Sequence, residues 1–115
     1  MSYIDGYLIP VPVANKEAYL RASGKFWEMA KDCGALHMIE NWGDDIPDGV
    51  TTSFPMAVKL EPGETLVFSW TVWPDKASRD AGNAKMREHP GMADMEMPFD
   101  GKRMIYAGFE RLVEY

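Results

Sequence analysis

Apolar and polar positions alternate most clearly between Glu64 and Trp73, and the rest of the chain is arranged around that stretch. Leu66, Phe68, Trp70 and Val72 form one wholly apolar set, whereas Val67, Ser69, Thr71 and Trp73 form a mixed one. β-Branched and aromatic residues at period two predict a strand here. Apolar on one side and half-apolar on the other, it belongs in the middle of a sheet covered on both faces.

The same patterning predicts five more elements. Tyr3–Val13 reads as a strand with Ile4, Gly6 and Leu8 opposed to Tyr3, Asp5, Tyr7 and Ile9. Pro10 and Pro12 remove backbone donors, so its far end must lie at an edge or leave the sheet. Tyr19, Ala22, Phe26, Met29, Ala30 and Cys33 recur at helical spacing, with Asn15 as N-cap and Gly34 as the left-handed stop. Ala35–Trp42 is a second strand, with Leu36, Met38, Glu40 and Trp42 on one side and His37, Ile39 and Asn41 on the other. Gly43–Pro55 carries turn chemistry, and Ser53–Val58 fits one helical turn with proline in its first positions. After Glu64–Trp73, Asp75 caps a second helix with opposite charges at Asp75/Arg79 and Lys76/Asp80 and a thin stripe of Ala77, Ala81 and Ala84. Pro90 closes that helix near Glu88. Gly91–Pro98 is irregular or one short turn, and Asp100-Gly101 turns the chain into a last strand, Arg103–Glu114.

Strand, helix, strand, strand, helix, strand, with right-handed crossovers, puts both helices on one face of a four-stranded antiparallel sheet. The expected fold is therefore α+β, a ferredoxin-like βαββαβ domain spanning residues 1–115. Two helices cover one face only. With the mixed parity taken as the uncovered one, Tyr7, Ile9, Leu36, Met38, Trp42, Val67, Trp73, Met104 and Tyr106 face away from the helices. At ~25 cal/mol per Å², covering such a face favours association by more than about 10 kcal/mol before ordering costs. The simplest cover is a second copy, sheet against sheet, in a homodimeric barrel.

Composition narrows the partners. Eighteen acidic and 12 basic residues give a net charge of −6, which argues against nucleic acid, whose binders need a basic stripe. Cys33 is the only cysteine, so neither an intrachain disulfide nor a cysteine-rich zinc site can form. His37 and His89 stand apart without neighbours at ligand spacing, and Asp44, Asp45 and Asp48 lack the spacing of a calcium loop. Met92, Met95 and Met97 read as gap-filling packing. No phosphate loop, nucleophile elbow or dinucleotide fingerprint occurs, and no metal or cofactor is expected. The first residues resemble neither a signal peptide nor a membrane span, so the expected location is the cytoplasm.

Candidate chemistry lies on the mixed parity. Asp5, Tyr7, Glu40, Ser69, Thr71, Tyr106 and Glu110 share it. Carboxylates beside tyrosines in a water-poor space can carry acid–base work, so Tyr7, Glu40, Ser69 and Tyr106 are the candidate catalytic groups. The competing expectation is that the acids lie near strand ends, pair with Arg103, Arg111 or water, and only set the dimer register. Asp5, Trp73, Arg79, Asn83 and Arg103 are the candidate ligand-binding residues. Arg79 and Asn83 lie on the second helix, where an exposed ion pair and a solvated amide are the plainer reading.

The chain resembles the bacterial YbaA-like family of unknown function nearly end to end. The resemblance rests on Tyr3-Ile4-Asp5-Gly6-Tyr7, Gly43-Asp44-Asp45-Ile46-Pro47, Val67-Phe68-Ser69-Trp70 with Arg79-Asp80, and above all Met97 to Tyr106. It implies a dimeric α+β barrel, a superfamily that also holds cofactor-independent monooxygenases, haem-degrading enzymes and small lactone isomerases. It transmits no activity of its own. Some members carry a name tied to signal-recognition-particle RNA, which the acidic balance here does not support. The Asn, Trp and His set of the haem-degrading relatives is not carried over to Asn83, Trp70 and His89.

Three readings of function follow. The first is a homodimer binding a small, partly aromatic organic molecule below the helices, with cofactor-free oxygenase- or isomerase-like chemistry. The second is a non-catalytic interaction or stress-accessory module, and the third an RNA-associated protein.

Overall fold

Four antiparallel strands form one sheet in the order β2-β3-β1-β4. The computed structural model describes residues 2–115 and gives β1 Tyr3–Pro12, α1 Lys16–Asp32, β2 His37–Trp42, α2 Phe54–Ala57, β3 Glu64–Trp73, α3 Lys76–Glu88 and β4 Ile105–Glu110. Short 3-10 turns at Val13–Asn15 and Pro90–Asp94 lead into α1 and out of α3. This is the α+β architecture expected from the sequence. β3 and β1 are central, paired over their full ten residues from Tyr3↔Trp73 to Pro12↔Glu64. β4 pairs with β1 only as far as Leu8, so Pro10 and Pro12 fall where β1 has lost its outer neighbour and a missing donor leaves no ladder open.

Local signals hold at most element ends. Asp75 accepts a hydrogen bond from the Ser78 backbone N–H at 2.7 Å, and Ser53 accepts one from that of Met56 at 3.1 Å. Gly34 takes the left-handed φ of 107° that stops α1. Asn15 does not cap. Its side chain donates instead to the Pro98 carbonyl at 2.9 Å, tying the start of α1 to the segment before β4.

The strand parities are as read, but their faces are exchanged. Both helices pack on the mixed set. Trp73 is buried with Met29, Ala30 and Met86, while Val67 and Ile9 are buried with Tyr19. The apolar set forms the uncovered face, where Phe68 is 49% exposed and Trp70 is half-buried against it, the rings meeting edge-on at 5.4 Å. Part of this face is sheltered by the long loop, since Leu8, Leu66 and Val58 are buried with Ile46 and Leu60. Most of the residues expected to face a second copy therefore lie beneath the helices of their own chain, Leu36 and Tyr106 staying exposed, and Trp70 lies on the opposite side.

α3 also turns a different stripe inward. Ala77, Ala81 and Ala84 are exposed, and Gly82 and Met86 are buried. Gly82 is needed for close approach: a Cβ there would collide with the Trp73 ring and sit 2.8 Å from the Cys33 carbonyl oxygen. Arg79 and Asn83, on the same side, point at Asp5. The polar inward stripe is stable because a buried carboxylate meets it.

Candidate functional site

One row across the helix-covered face contains all four candidate catalytic groups. Glu40 pairs with Ser69, Ser69 with Tyr7 and Tyr7 with Tyr106, one residue from each strand in sheet order. Same-face neighbours on adjacent strands stand about 5 Å apart, so the row is a continuous polar line on a largely apolar floor. Its first three members line a cavity of about 260 Å³. Tyr106 lies beyond, on the edge strand β4; it is 70% exposed, its ring centroid 6.3 Å from that of Tyr7.

The cavity has three walls. The sheet supplies Tyr7, Ile9, Met38, Glu40 and Ser69; α1 supplies Tyr19, Ala22, Ser23 and Phe26; and the segment after α3 closes the side with Met92, Met95, Glu96, Met97 and Phe99. Met104, just before β4, completes it. Three contacts hold that last wall to α1: the Asn15 bond to Pro98, an Arg21–Glu96 ion pair at 3.3 Å, and the Tyr19 and Phe99 rings 5.9 Å apart. Of the methionines expected to fill gaps, Met95 packs against the core, whereas Met92 and Met97 line the cavity and stay 39% and 62% exposed, leaving a space whose shape flexible thioethers can adjust.

The Tyr19 hydroxyl donates to Glu40, 2.9 Å from Oε2 and 3.0 Å from Oε1. Burial, followed by the Glu40 charge, pushes the Tyr19 phenol well above its ordinary value of 10.0. Tyr7 is pushed the same way, chiefly by burial and then by Asp5. Both phenols are therefore protonated donors at neutral pH. Glu40 makes no ion pair among the described residues, Lys16 lying instead over the Trp42 ring at 5.1 Å from its centre, and no Lys, Arg or His lines the cavity.

The next row holds the other candidates. Asp5, 4% exposed, pairs with Thr71, which pairs with Met38. Asp5 Oδ2 accepts from Trp73 Nε1 at 3.0 Å and from Asn83 Nδ2 at 3.4 Å, while Oδ1 accepts from Arg79 Nε at 2.9 Å. Arg79 also bonds Asp80 at 2.9 Å and stacks on Tyr3 with its guanidinium carbon 5.1 Å from the ring centre. Four of the five expected ligand-binding residues thus converge, but on one another. Gly108 makes room for them, since a Cβ there would press on the Tyr3 hydroxyl and the Arg79 guanidinium. Thr71 Oγ1, buried beside them, has no hydrogen-bond partner among the described residues.

Arg103 stands apart. It makes a two-pronged bond to Glu64 at 2.7 and 2.8 Å, with further bonds to Asp100 and the Lys59 carbonyl. Its donors brace the turn before β4 against the start of β3. His89 accepts from the Gly91 N–H at 3.0 Å, away from Trp70 on the other face. No group of three metal-ligating side chains occurs among the described residues.

Tyr19, Phe26 and Phe99 are cavity residues that strand-face reasoning passed over. A signal for Tyr19 was available: a phenol on an apolar helix stripe needs a buried acceptor, and Glu40 was the strand acid within the same crossover.

A four-stranded α+β domain with a cavity between its sheet and first helix is the class these features define. The chain belongs to the family described as protein of unknown function (DUF1428), which matches residues 2–101. It is 47% identical over 116 residues, 99% of each chain, to the uncharacterized protein YbaA of Escherichia coli strain K12. The same figures hold for the uncharacterized protein YbaA of Shigella flexneri.

Proposed function

We propose that the chain binds a small, apolar, partly aromatic molecule between its sheet and α1, and that two copies associate through the uncovered sheet face. The cavity carries the first part. About 260 Å³ is slightly below the ~300–1,000 Å³ usual for drug-sized ligands, and suits one ring with a short chain. Its apolar walls supply affinity, and Glu40, Ser69 and Tyr7 supply direction. Glu40 is placed to receive a proton from a ligand, and Tyr7, held protonated by burial, to donate a hydrogen bond to it. The chemistry this arrangement supports is cofactor-free proton transfer, as in an isomerase-like step.

The second part rests on the open face. Ile39, Phe68, Ile105 and Phe109 are each between 39% and 56% exposed there, with Gly6 and Ala107 making the middle of the face shallow. An exposed apolar surface of this kind suits a second copy related by a two-fold axis.

Crystals soaked with a metabolite mixture test the cavity reading. Density between α1 and the Glu40–Ser69–Tyr7 row is expected. Side chains that close the space, with density nowhere inside, would overturn it. Turnover of the molecule so found separates a catalytic role from plain binding.

A further inference from the structure

The cavity is chemically one-sided. Its walls hold two carboxylates, Glu40 and Glu96, and no cationic side chain. Glu96 has its counter-charge, Arg21, at the rim. Glu40 makes no ion pair among the described residues: it accepts the hydrogen bond of the Tyr19 hydroxyl, and a carboxylate can accept about four. The neighbouring guanidinium, Arg79, is committed to Asp5 and Asp80.

Each ligand class meets this differently. An anion would place its charge near Glu40 with no cation to offset either. A bare hydrocarbon would strip water from Glu40 and return no donor. A cation gives Glu40 a partner, while Phe26, Phe99 and Tyr7 offer aromatic faces to the same charge and to a ring attached to it. The chain's net charge of −6 raises the local concentration of cations as well.

We propose that the ligand of this cavity is a small arylalkylamine, its protonated nitrogen held by Glu40 and its ring lying against Phe26, Phe99 and the methionine thioethers. This rests on the cavity reading above and adds to it the charge of the ligand.

Three probes of one shape separate the possibilities: phenethylamine, phenethyl alcohol and phenylacetate, titrated calorimetrically into the full chain at neutral pH. The amine should bind best and the acid worst, the two differing by about tenfold or more, as a charge-assisted hydrogen bond implies. Glu40→Gln should bring the amine down to the alcohol's level and leave the alcohol within about twofold. Ser23→Trp, which fills the cavity from α1, should abolish binding of all three. If the acid binds as well as the amine, the charge inference falls and the cavity stands; that comparison needs no variant. An amine preference unmoved by Glu40→Gln, or surviving Ser23→Trp, also overturns the inference. If none of the three binds, both the inference and the cavity reading fail.

Discussion

Asp5 and Arg79 meet across 74 residues of sequence, the carboxylate taking Nε and Nη2 of the guanidinium at 2.9 Å each. The contact joins the third residue of β1 to the first turn of α3, and so locks the second helix onto the sheet. Removing the acid leaves Arg79, the Trp73 indole N–H and the Asn83 amide short of an acceptor. Breaking a buried pair from one side usually costs ~3–5 kcal/mol. Arg79, 21% exposed, can recover some hydration, so Asp5→Ala should cost about 2–4 kcal/mol. Urea unfolding measures it. A loss under about 1 kcal/mol would mean the pair is not holding α3.

Two glycines make a matched test of helix packing. Gly82→Ala drives a methyl into the Trp73 ring and toward the Cys33 carbonyl oxygen at 2.8 Å, and should destabilise by about 1–3 kcal/mol. Gly24, in α1, has nothing within 4 Å of the same position. Gly24→Ala should stabilise by about 0.5–1 kcal/mol through helix propensity alone. Thermal unfolding of the two variants should move in opposite directions, and a shift of the same sign in both would contradict the close approach of α3.

Stability should fall on the alkaline side because of Tyr7 and Tyr19. Both phenols are raised above 10.0 in the folded chain, so they stay protonated where the unfolded chain has begun to ionise. Their contribution is complete below about pH 10 and is lost as pH rises past it toward their folded values. Tyr7→Phe and Tyr19→Phe should each flatten that decline. Phenolate absorbance from Tyr7 and Tyr19 should appear together with unfolding, and its appearance ahead of unfolding would contradict their burial.

Acid acts at another place. Arg103 holds the Glu64 carboxyl below its ordinary 4.5 through their hydrogen bonds. A depressed folded value means that the stabilisation is present above pH 4.5 and disappears as pH falls through the folded value. Arg103→Leu should be less stable than the wild type at neutral pH, and the two should converge in acid. Curves that stay parallel to low pH would assign the loss to packing.

On the proposed pairing of open faces, Phe68→Glu should give a species of one chain's mass, 13.0 kDa, in sedimentation at micromolar concentration, while the wild type runs at twice that. The cavity lies on the opposite side of the sheet, so ligand binding should survive. A wild type that sediments as one chain would end the dimer proposal.

Much of the fold was legible because its signals are local. Helix stops, caps and the turn before β4 depend on residues a few positions apart, as Asp75 with Ser78 or Gly34 after Cys33 show. Asn15 was misread because its partner, Pro98, lies 83 residues away. The alanine stripe of α3 was misread for a related reason. Apolar periodicity cannot anticipate an inward face built from Arg79, Gly82 and Asn83, whose stability comes from an acid on another strand and from the flat side of Trp73.

Alternation by itself determined which residues share a side within each strand, as Ser69 does with Val67 and Thr71, but not that Tyr7, Glu40, Ser69 and Tyr106 fall in one row across four strands, which the strand register fixes. It also determined that one face would lack helices, because two helices cover one side of four strands. Which side they cover was decided only by the tertiary structure. A pleat has two equivalent sides, and nothing local distinguishes them. The choice came from distant partners: Asp5 with Arg79, Glu40 with Tyr19, and Trp73 with the gap at Gly82. Those contacts put Glu40, Ser69 and Tyr7 under the helices, where they border a cavity, and left Phe68 and Trp70 on the outer side.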